Sequence, residues 1–262
     1  MDRRQVLKGG LASAMVASTA ETGHAAAVQG GNHYYELRTY ELRNDLKPAR
    51  LQEYFQQHYM PFLKRAGAGP IGCFNVISGK LNPALIVLID YPSLGVMQSV
   101  IEKSLVDKEF SAAARAFETA ELAYVRYESV LLRAFDNHPK VEVPEGDEKR
   151  PARVFELRTY ESRNAASLRD KIAMFNQEEI KIFRASGFAP VFFGEGVIAP
   201  RMPHLTYMVG FDNMAARDKC WDAFRIDPDW ARVRVKPGWT DAEVVSNSET
   251  SFLRPTSFSQ IR

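Results

Sequence analysis

The chain has 262 residues, of which 45% are apolar and 25% charged, and its formal net charge is +2. This composition is ordinary for globular domains and excludes a disordered, collagen-like or coiled-coil chain. The small basic excess forms no cluster, so no nucleic-acid partner is predicted.

Residues 1–27 have the pattern of an export signal. Arg3-Arg4, followed by glutamine, two apolar residues and lysine, matches the twin-arginine motif. A short, mildly apolar stretch then leads to Ala25-Ala26-Ala27, a small-residue cleavage site. We expect a twin-arginine signal peptide, a mature chain that begins near Val28, and a periplasmic or secreted protein. No later run reaches 18 apolar residues, so no stable membrane insertion is predicted.

A repeat divides the rest of the chain. Residues 36–44 and 156–164 differ at one position only, and later pairs keep the offset of 120 residues. Such pairs include Phe55 with Phe175, Gly67 with Gly187 and Pro83 with Pro203. The chain is therefore predicted to hold two copies of one unit. The predicted boundaries are 33–134 for the first unit, 135–152 for a linker rich in proline, glycine and charge, 153–254 for the second unit, and 255–262 for a tail.

Each unit shows the same series of predicted elements. In the first unit strands are predicted at Tyr34–Glu41, Ile71–Ile77, Leu85–Tyr91 and Val125–Leu132, and helices at Leu46–Arg65, Leu94–Leu105 and from Asp107. Gly67 is expected to end the first helix and Pro61 to kink it. In the second unit Asp227 is a predicted N-cap, with proline next to it at the first helical position.

This order is that of a ferredoxin-like βαββαβ unit, whose helices cover one face of the sheet. The other face needs cover, which a second copy can supply. The predicted fold is therefore α+β, with two tandem ferredoxin-like (βαββαβ) units packed sheet-to-sheet as a pseudo-dimeric α/β barrel.

Three features resemble the NIPSNAP family over nearly the whole mature chain. They are the Glu-Leu-Arg-Thr-Tyr strand that opens each unit, the glycine-ended helix before the second strand, and Asp227-Pro228-Asp229-Trp230. The first unit keeps the last feature in the weaker form Asp107-Lys108-Glu109-Phe110. The resemblance implies a dimeric α/β-barrel fold, whose relatives include cofactor-free monooxygenases and haem-binding enzymes. It implies no settled activity.

Polar residues alternate along the strand that opens each unit. Glu36, Arg38 and Tyr40 share one face, and Leu37 is expected to face the helices from the other. The second unit repeats this set: Glu156, Arg158 and Tyr160. We expect both sets to face one lumen between the sheets, where arginine could bind a carboxylate and tyrosine could donate a hydrogen bond. The alternative is a satisfied ion-pair network that fixes strand register, or a strand end in solvent.

Other candidate residues are few. His58 lies on the first helix, and since the second unit has Glu178 there, any role would be confined to the first unit; the alternative is a surface residue. No HxxxH, CxxC or HExxH spacing occurs, so no metal site is predicted. Cys73 and Cys220 lie in apolar runs, which predicts thiols rather than a disulfide. Three aromatic residues near the end are expected to pack in the core: Trp221, Phe224 and Trp230.

Three functions fit these patterns. The first is a protein that binds or transforms a small aromatic or apolar molecule in the barrel. The second is a non-catalytic interaction or scaffolding protein, because no convincing catalytic set is present. The third is a haem-binding barrel enzyme. This hypothesis is weaker than the other two, because neither His58 nor His204 has a recognisable supporting partner. Cofactor, enzymatic status and homo-oligomerisation stay open.

Overall fold

Each copy of the repeat supplies four strands and their helices in the computed structural model, which describes residues 31–43, 48–146 and 150–262. The predicted signal peptide lies outside these residues. The first unit comprises β1 Tyr34–Glu41, α1 Pro48–Tyr54, α2 Met60–Ala66, β2 Ile71–Ser78, β3 Ala84–Tyr91, α3 Leu94–Val106, α4 Lys108–Glu118 and β4 Arg126–Ala134. The second comprises β5 Val154–Glu161, α5 Ala165–Met174, α6 Ile180–Ala185, β6 Ala189–Ile198, β7 His204–Phe211, α7 Met214–Ile226, α8 Pro228–Val233, α9 Asp241–Val244 and β8 Asn247–Pro255.

The eight strands close into a barrel in the order β1-β3-β2-β8-β5-β7-β6-β4. Within each unit the strand order is that of a ferredoxin-like sheet. The two sheets join edge to edge through the antiparallel pairs β2–β8 and β4–β6. The predicted pseudo-dimeric α/β barrel is therefore confirmed.

The inside of the barrel is a packed core rather than an open lumen. Apolar side chains from both units meet there, among them Leu37, Leu88, Phe155 and Met208. These side chains are at most 8% exposed. The space left at one mouth of the barrel is only about 100 Å³, which is below the size of a typical ligand pocket.

Helices cover the outer face of each sheet and form a second apolar layer per unit. Asp227 begins α8 as predicted, since its carboxylate accepts hydrogen bonds from the backbone N–H groups of Asp229 and Trp230. Asp107 caps α4 in the same way. None of the helices in the described ranges is long and apolar enough to cross a membrane.

The segment after β4 and the segment after β8 close the barrel in matching ways. The backbone N–H of Phe135 donates to the carbonyl of Phe193, and that of Thr256 donates to the carbonyl of Cys73. Phe193 and Cys73 are equivalent positions of the repeat. Further along, Val141 and Ile261 both enter the interior cluster. The first part of the predicted linker and the predicted tail thus pack as extensions of the two units.

A π-helical turn joins the first two helices of each unit, at Phe55–Tyr59 and at Phe175–Glu179. In the first unit Pro61 follows this turn, at the place where the sequence predicts a kink in the first helix. The second unit has Lys181 at the equivalent position and the same turn. Proline is therefore not its cause, and the turn belongs to the repeat itself.

Candidate functional site

The polar sets of β1 and β5 face the helices, so the expectation that they share the barrel lumen is wrong. Tyr40 packs edge-on against Phe55 of the π-helical turn, with ring centroids 5.5 Å apart. The guanidinium of Arg38 lies 5.2 Å from the ring centroid of Tyr59 on the same turn. In the second unit, the α7 residue Arg217 bonds to Glu156 of β5 through Nε at 2.8 Å. Each set lies in the helix layer of its own unit, on the outer face of the barrel wall.

The polar sets face the helices because only the helix layer offers partners for their charged groups. The interior is enclosed by two sheets and offers mainly apolar neighbours, so charged groups there would be left without partners. The helix layer supplies N–H and O–H donors and opens to solvent at its edges. Leu37, expected on the helix side, therefore lies in the interior.

A cleft of about 450 Å³ lies between β5 and the helices of the second unit. We call it the second-unit cleft. Its lining is Arg158, Tyr160, Lys171, Glu179, Arg217, Trp221, Phe224, Arg225, Trp230, Arg234 and Asp241. This volume falls within the range of small-molecule sites.

Glu156 organises one wall of the cleft from beneath. Its carboxylate is fully buried and accepts hydrogen bonds from Arg158 Nη1 at 2.7 Å, Arg217 Nε at 2.8 Å and Trp221 Nε1 at 2.9 Å. Burial alone would raise the pKa of Glu156, but hydrogen bonds from these three donors hold it below its ordinary value. The ionised Glu156 thus fixes two guanidinium groups and an indole in place.

A buried ion pair forms the opposite wall. Lys171 Nζ lies 3.2 Å from Glu179 Oε2 and 3.5 Å from Asp241 Oδ1, and the Lys171 side chain is 1% exposed. Burial would lower the pKa of Lys171, but the charge of Glu179 raises it above its ordinary value, so the amine stays protonated. Burial raises the pKa of Glu179, and the ammonium of Lys171 offsets this only in part.

Charge and aromatic surface together define what the cleft can hold. Five of its lining side chains are cationic and two are acidic. The guanidinium of Arg158 lies 5.0 Å from the ring centroid of Trp221. Phe224 and Trp230, expected as core residues, are largely buried yet also form part of the cleft wall. Arginines beside flat aromatic faces suit a planar molecule that carries a carboxylate or another anion.

The first unit has the same polar set but fills the equivalent space. Leu51 replaces Lys171, and Tyr59 replaces Glu179. Tyr54 and Phe117 stack with ring centroids 4.4 Å apart, and Tyr59 stacks on Phe110 at 5.4 Å. Glu36 is satisfied by Arg38, Tyr91 and Ser129. The set therefore sits in a packed ionic network in the first unit and beside a cleft in the second.

The structure places His58 apart from both polar sets. It is exposed, on the solvent side of the π-helical turn, 6.2 Å from the ring centroid of Tyr54. In the described part of the chain, no three His, Cys, Asp or Glu side chains group to hold a metal ion. The residues of the second-unit cleft do not fit a haem either. Its lining has no His, Cys or Met, and the Tyr160 hydroxyl is already bonded to Tyr207 at 3.0 Å.

Sequence reasoning missed Lys171, Glu179 and Arg217. These residues lie on helices that follow the Glu-Arg-Tyr strand, from Lys171, 11 residues after Tyr160, to Arg217, 61 residues after Glu156. The available signal was the exchange of apolar for charged residues between the two copies: Leu51 to Lys171 and Met97 to Arg217.

Comparison with known proteins fits this architecture. The NIPSNAP family model matches residues 35–136 and 155–260, once in each unit. The chain belongs to the NIPSNAP family. This NIPSNAP chain matches no protein of curated function.

Several solved structures are similar to this chain at low sequence identity. A proposed monooxygenase from Lactobacillus acidophilus NCFM is 10% identical with a TM-score of 0.56, and the match covers 86% of this chain and 94% of that one. A proposed monooxygenase from Fusobacterium nucleatum subsp. nucleatum is 5% identical with a TM-score of 0.52, over 86% and 93% of the two chains. A NIPSNAP family protein of unknown function from Agrobacterium tumefaciens is 19% identical with a TM-score of 0.38, over 42% of this chain and 94% of its own. The likeness to the two proposed monooxygenases shows the fold and not the reaction.

Proposed function

We propose that this NIPSNAP protein binds and transforms a small planar anion in the second-unit cleft. The observation that carries the proposal is the contrast between the two units. Lys171 and Glu179 stand where the first unit has Leu51 and Tyr59, and the exchange leaves a cavity of about 450 Å³ lined by arginines and aromatic rings. Buried charges are costly to maintain, so their presence in one copy only supports a role in binding or chemistry.

The proposed ligand lies with its ring against Trp221 and Trp230 and its anionic group toward the arginines. Arg158 and Arg217 are held by Glu156, so they are oriented before a ligand arrives. Arg234 is exposed and has no ion pair within the described residues. A bound carboxylate would supply one. Pre-oriented cations lose little entropy on binding, which favours affinity.

The test uses two ligands of the same shape, 2-naphthoate and the neutral 2-naphthamide. Titration calorimetry, supported by tryptophan fluorescence, should show saturable binding of the acid and weaker binding of the amide. The double variant Arg225→Gln/Arg234→Gln should weaken naphthoate binding about five- to tenfold, because exposed charge pairs contribute up to about 1 kcal/mol each. Naphthamide binding should not change.

Arg232→Gln is the matched control. This exposed arginine pairs with Glu178 and Asp229 outside the cleft, so naphthoate affinity should stay as in the wild type. Equal affinity for the acid and the amide, or an equal loss in the control, would remove the support for an anion site.

We further propose that residues 1–27 direct export by the twin-arginine pathway to the periplasm or beyond. The support is the order of motif, mild apolar stretch and small-residue cleavage site. The variant Arg3→Lys/Arg4→Lys should accumulate unprocessed in the cytoplasmic fraction of the native host. Unchanged processing and localisation in that variant would contradict the proposal.

A protein-interaction role is the second candidate, favoured by one observation. Helix α3 exposes Leu94, Ile101 and Leu105 at 45%, 52% and 76%. Light scattering of the wild type and of Ile101→Ser/Leu105→Ser tests this role. A change from a defined oligomer to a monomer in the variant would support the interaction function. An unchanged mass would show that the exposed apolar residues of α3 do not support it.

A further inference from the structure

Glu179 is the most unusual group in the second-unit cleft. It ends the π-helical turn Phe175–Glu179, a type of irregularity that is frequent at functional sites. Its side chain is 4% exposed, and it replaces Tyr59 of the first unit. Its Oε2 bonds to Lys171, whereas Oε1 has no hydrogen-bond partner within the described residues.

An ion pair sealed in the interior would be expected to satisfy both carboxylate oxygens, since an oxygen cut off from water and without a donor is costly. Oε1 of Glu179 is not such an atom: it lacks a protein donor but is reached from the cleft that Glu179 lines. In Glu156 both oxygens are bonded. Glu179 differs because one oxygen is held by an ammonium and the other is free beside the cavity. This arrangement leaves one lone pair available to a bound molecule.

The groups around Glu179 suit proton transfer more than nucleophilic attack. Lys171 is kept protonated between Glu179 and Asp241, so its amine is not a nucleophile. Burial raises the pKa of Glu179, which makes the carboxylate a stronger base than an exposed glutamate. Arg158 is near enough to act electrostatically on Glu179, so a cation is present where negative charge would form in a ligand.

Resting on the proposed function, we infer that Glu179 is the general base of the cleft, removing a proton from a carbon next to the carbonyl of an aromatic 2-oxo acid. The C–H bond breaks, its proton goes to Oε1 of Glu179, and its electron pair moves onto the carbonyl oxygen as an enolate. Glu179 then returns the proton to the enolate oxygen, which completes a keto–enol tautomerisation. No electrons are exchanged with another molecule.

The ligand class follows from three features of the cleft. Trp221, Phe224 and Trp230 offer a wall for an aromatic ring, and the arginines offer a site for a carboxylate. Arg158 and the ammonium of Lys171 can stabilise an enolate oxygen in a partly dry site, where charges interact more strongly than in water. An aromatic 2-oxo acid carries the ring, the carboxylate and an acidic C–H in one small molecule.

The test follows benzylic hydrogen exchange of phenylpyruvate and 4-hydroxyphenylpyruvate in D₂O by proton NMR, with calorimetric affinities measured in parallel. The wild type should accelerate exchange over buffer. Glu179→Gln should lower the exchange rate at least 100-fold, because a general base contributes about 10²–10⁴-fold. Its affinity for either acid should change less than about threefold, since glutamine keeps the shape and the size.

Two further variants guard against loss of folding. Glu178→Gln changes the neighbouring carboxylate, which pairs with Arg232 outside the cleft, and should exchange at the wild-type rate. Glu179→Asp keeps a carboxylate and should retain more activity than Glu179→Gln. All variants are compared with the wild type by far-ultraviolet circular dichroism.

The outcomes separate the two proposals. Wild-type exchange by a folded Glu179→Gln, or binding of both acids without accelerated exchange, overturns the role of Glu179 and leaves the anion site standing. Failure to bind either acid or 2-naphthoate overturns the proposed function itself.

Discussion

The buried Lys171–Glu179 pair can be tested by converting it to its counterpart in the first unit. Lys171→Leu alone leaves a carboxylate buried without its cation, which should lower the free energy of unfolding by about 3–5 kcal/mol. The double variant Lys171→Leu/Glu179→Tyr copies Leu51 and Tyr59. It should lie within about 1 kcal/mol of the wild type or above it, because apolar replacements of buried ion pairs are often neutral or stabilising.

Urea denaturation at pH 7 compares both variants with the wild type, and the double variant should recover at least about 2–4 kcal/mol of the loss seen in Lys171→Leu alone. The loss in Lys171→Leu should also depend on pH. Without lysine the folded-state pKa of Glu179 lies further above its unfolded value, so this variant is most stable at low pH and loses stability as pH rises. The double variant should fold but bind no 2-naphthoate, because tyrosine fills the cleft. A single variant as stable as the wild type at pH 7 would refute the view that this pair is buried and coupled.

Three further predictions concern groups outside that pair. Glu156→Gln should lower stability at pH 7 by about 3 kcal/mol, because Arg158 and Arg217 lose a buried counter-charge. Because the pKa of Glu156 is lowered on folding, the wild type keeps this advantage above the ordinary pKa of glutamate and loses it as pH falls through the folded-state pKa, where the urea curves of the two proteins should converge. His58→Ala should leave 2-naphthoate affinity unchanged in calorimetry, since this exposed residue lies in the other unit; a tenfold loss would connect it to the site. Phe192→Ala, in the packed barrel interior, should cost about 3–5 kcal/mol in urea unfolding, and a loss below about 1 kcal/mol would indicate an interior less densely filled than described.

The fold could be predicted from the sequence because several signals agree. Strand alternation, helical spacing and glycine stops place the strands and the longer helices of the first unit to within a few residues, and the offset of 120 residues carries them to the second unit. The short helix α9 was not predicted. Barrel closure follows because a sheet with helices on one face needs cover on the other. These inferences use local patterns and one repeat, and neither requires knowledge of which side chains meet in space.

The orientation of the opening strands could not be predicted in the same way. Alternation places Glu36 and Arg38 on one face but does not say whether that face is inside or outside the barrel. The choice depends on partners that are distant in sequence. Arg217 and Trp221 follow Glu156 by 61 and 65 residues and supply the donors that make the helix layer the better place for a carboxylate.

Differences between the two copies carry information only where the position is buried. The exchange of His58 for Glu178 concerns two residue types that are common in catalysis. However, this position is on the outer side of a helix, where substitutions change the stability of the fold little. The exchanges of Leu51 for Lys171 and Tyr59 for Glu179 occur at positions packed against the sheet, where an unused charge would be removed by selection for stability. Such a pair of charges, placed eight residues or about two helical turns apart in one copy alone, indicates which unit has the cleft. Related tandem chains should therefore carry a cleft in whichever copy has charged residues at these two positions, and a packed layer in the copy that has leucine and tyrosine.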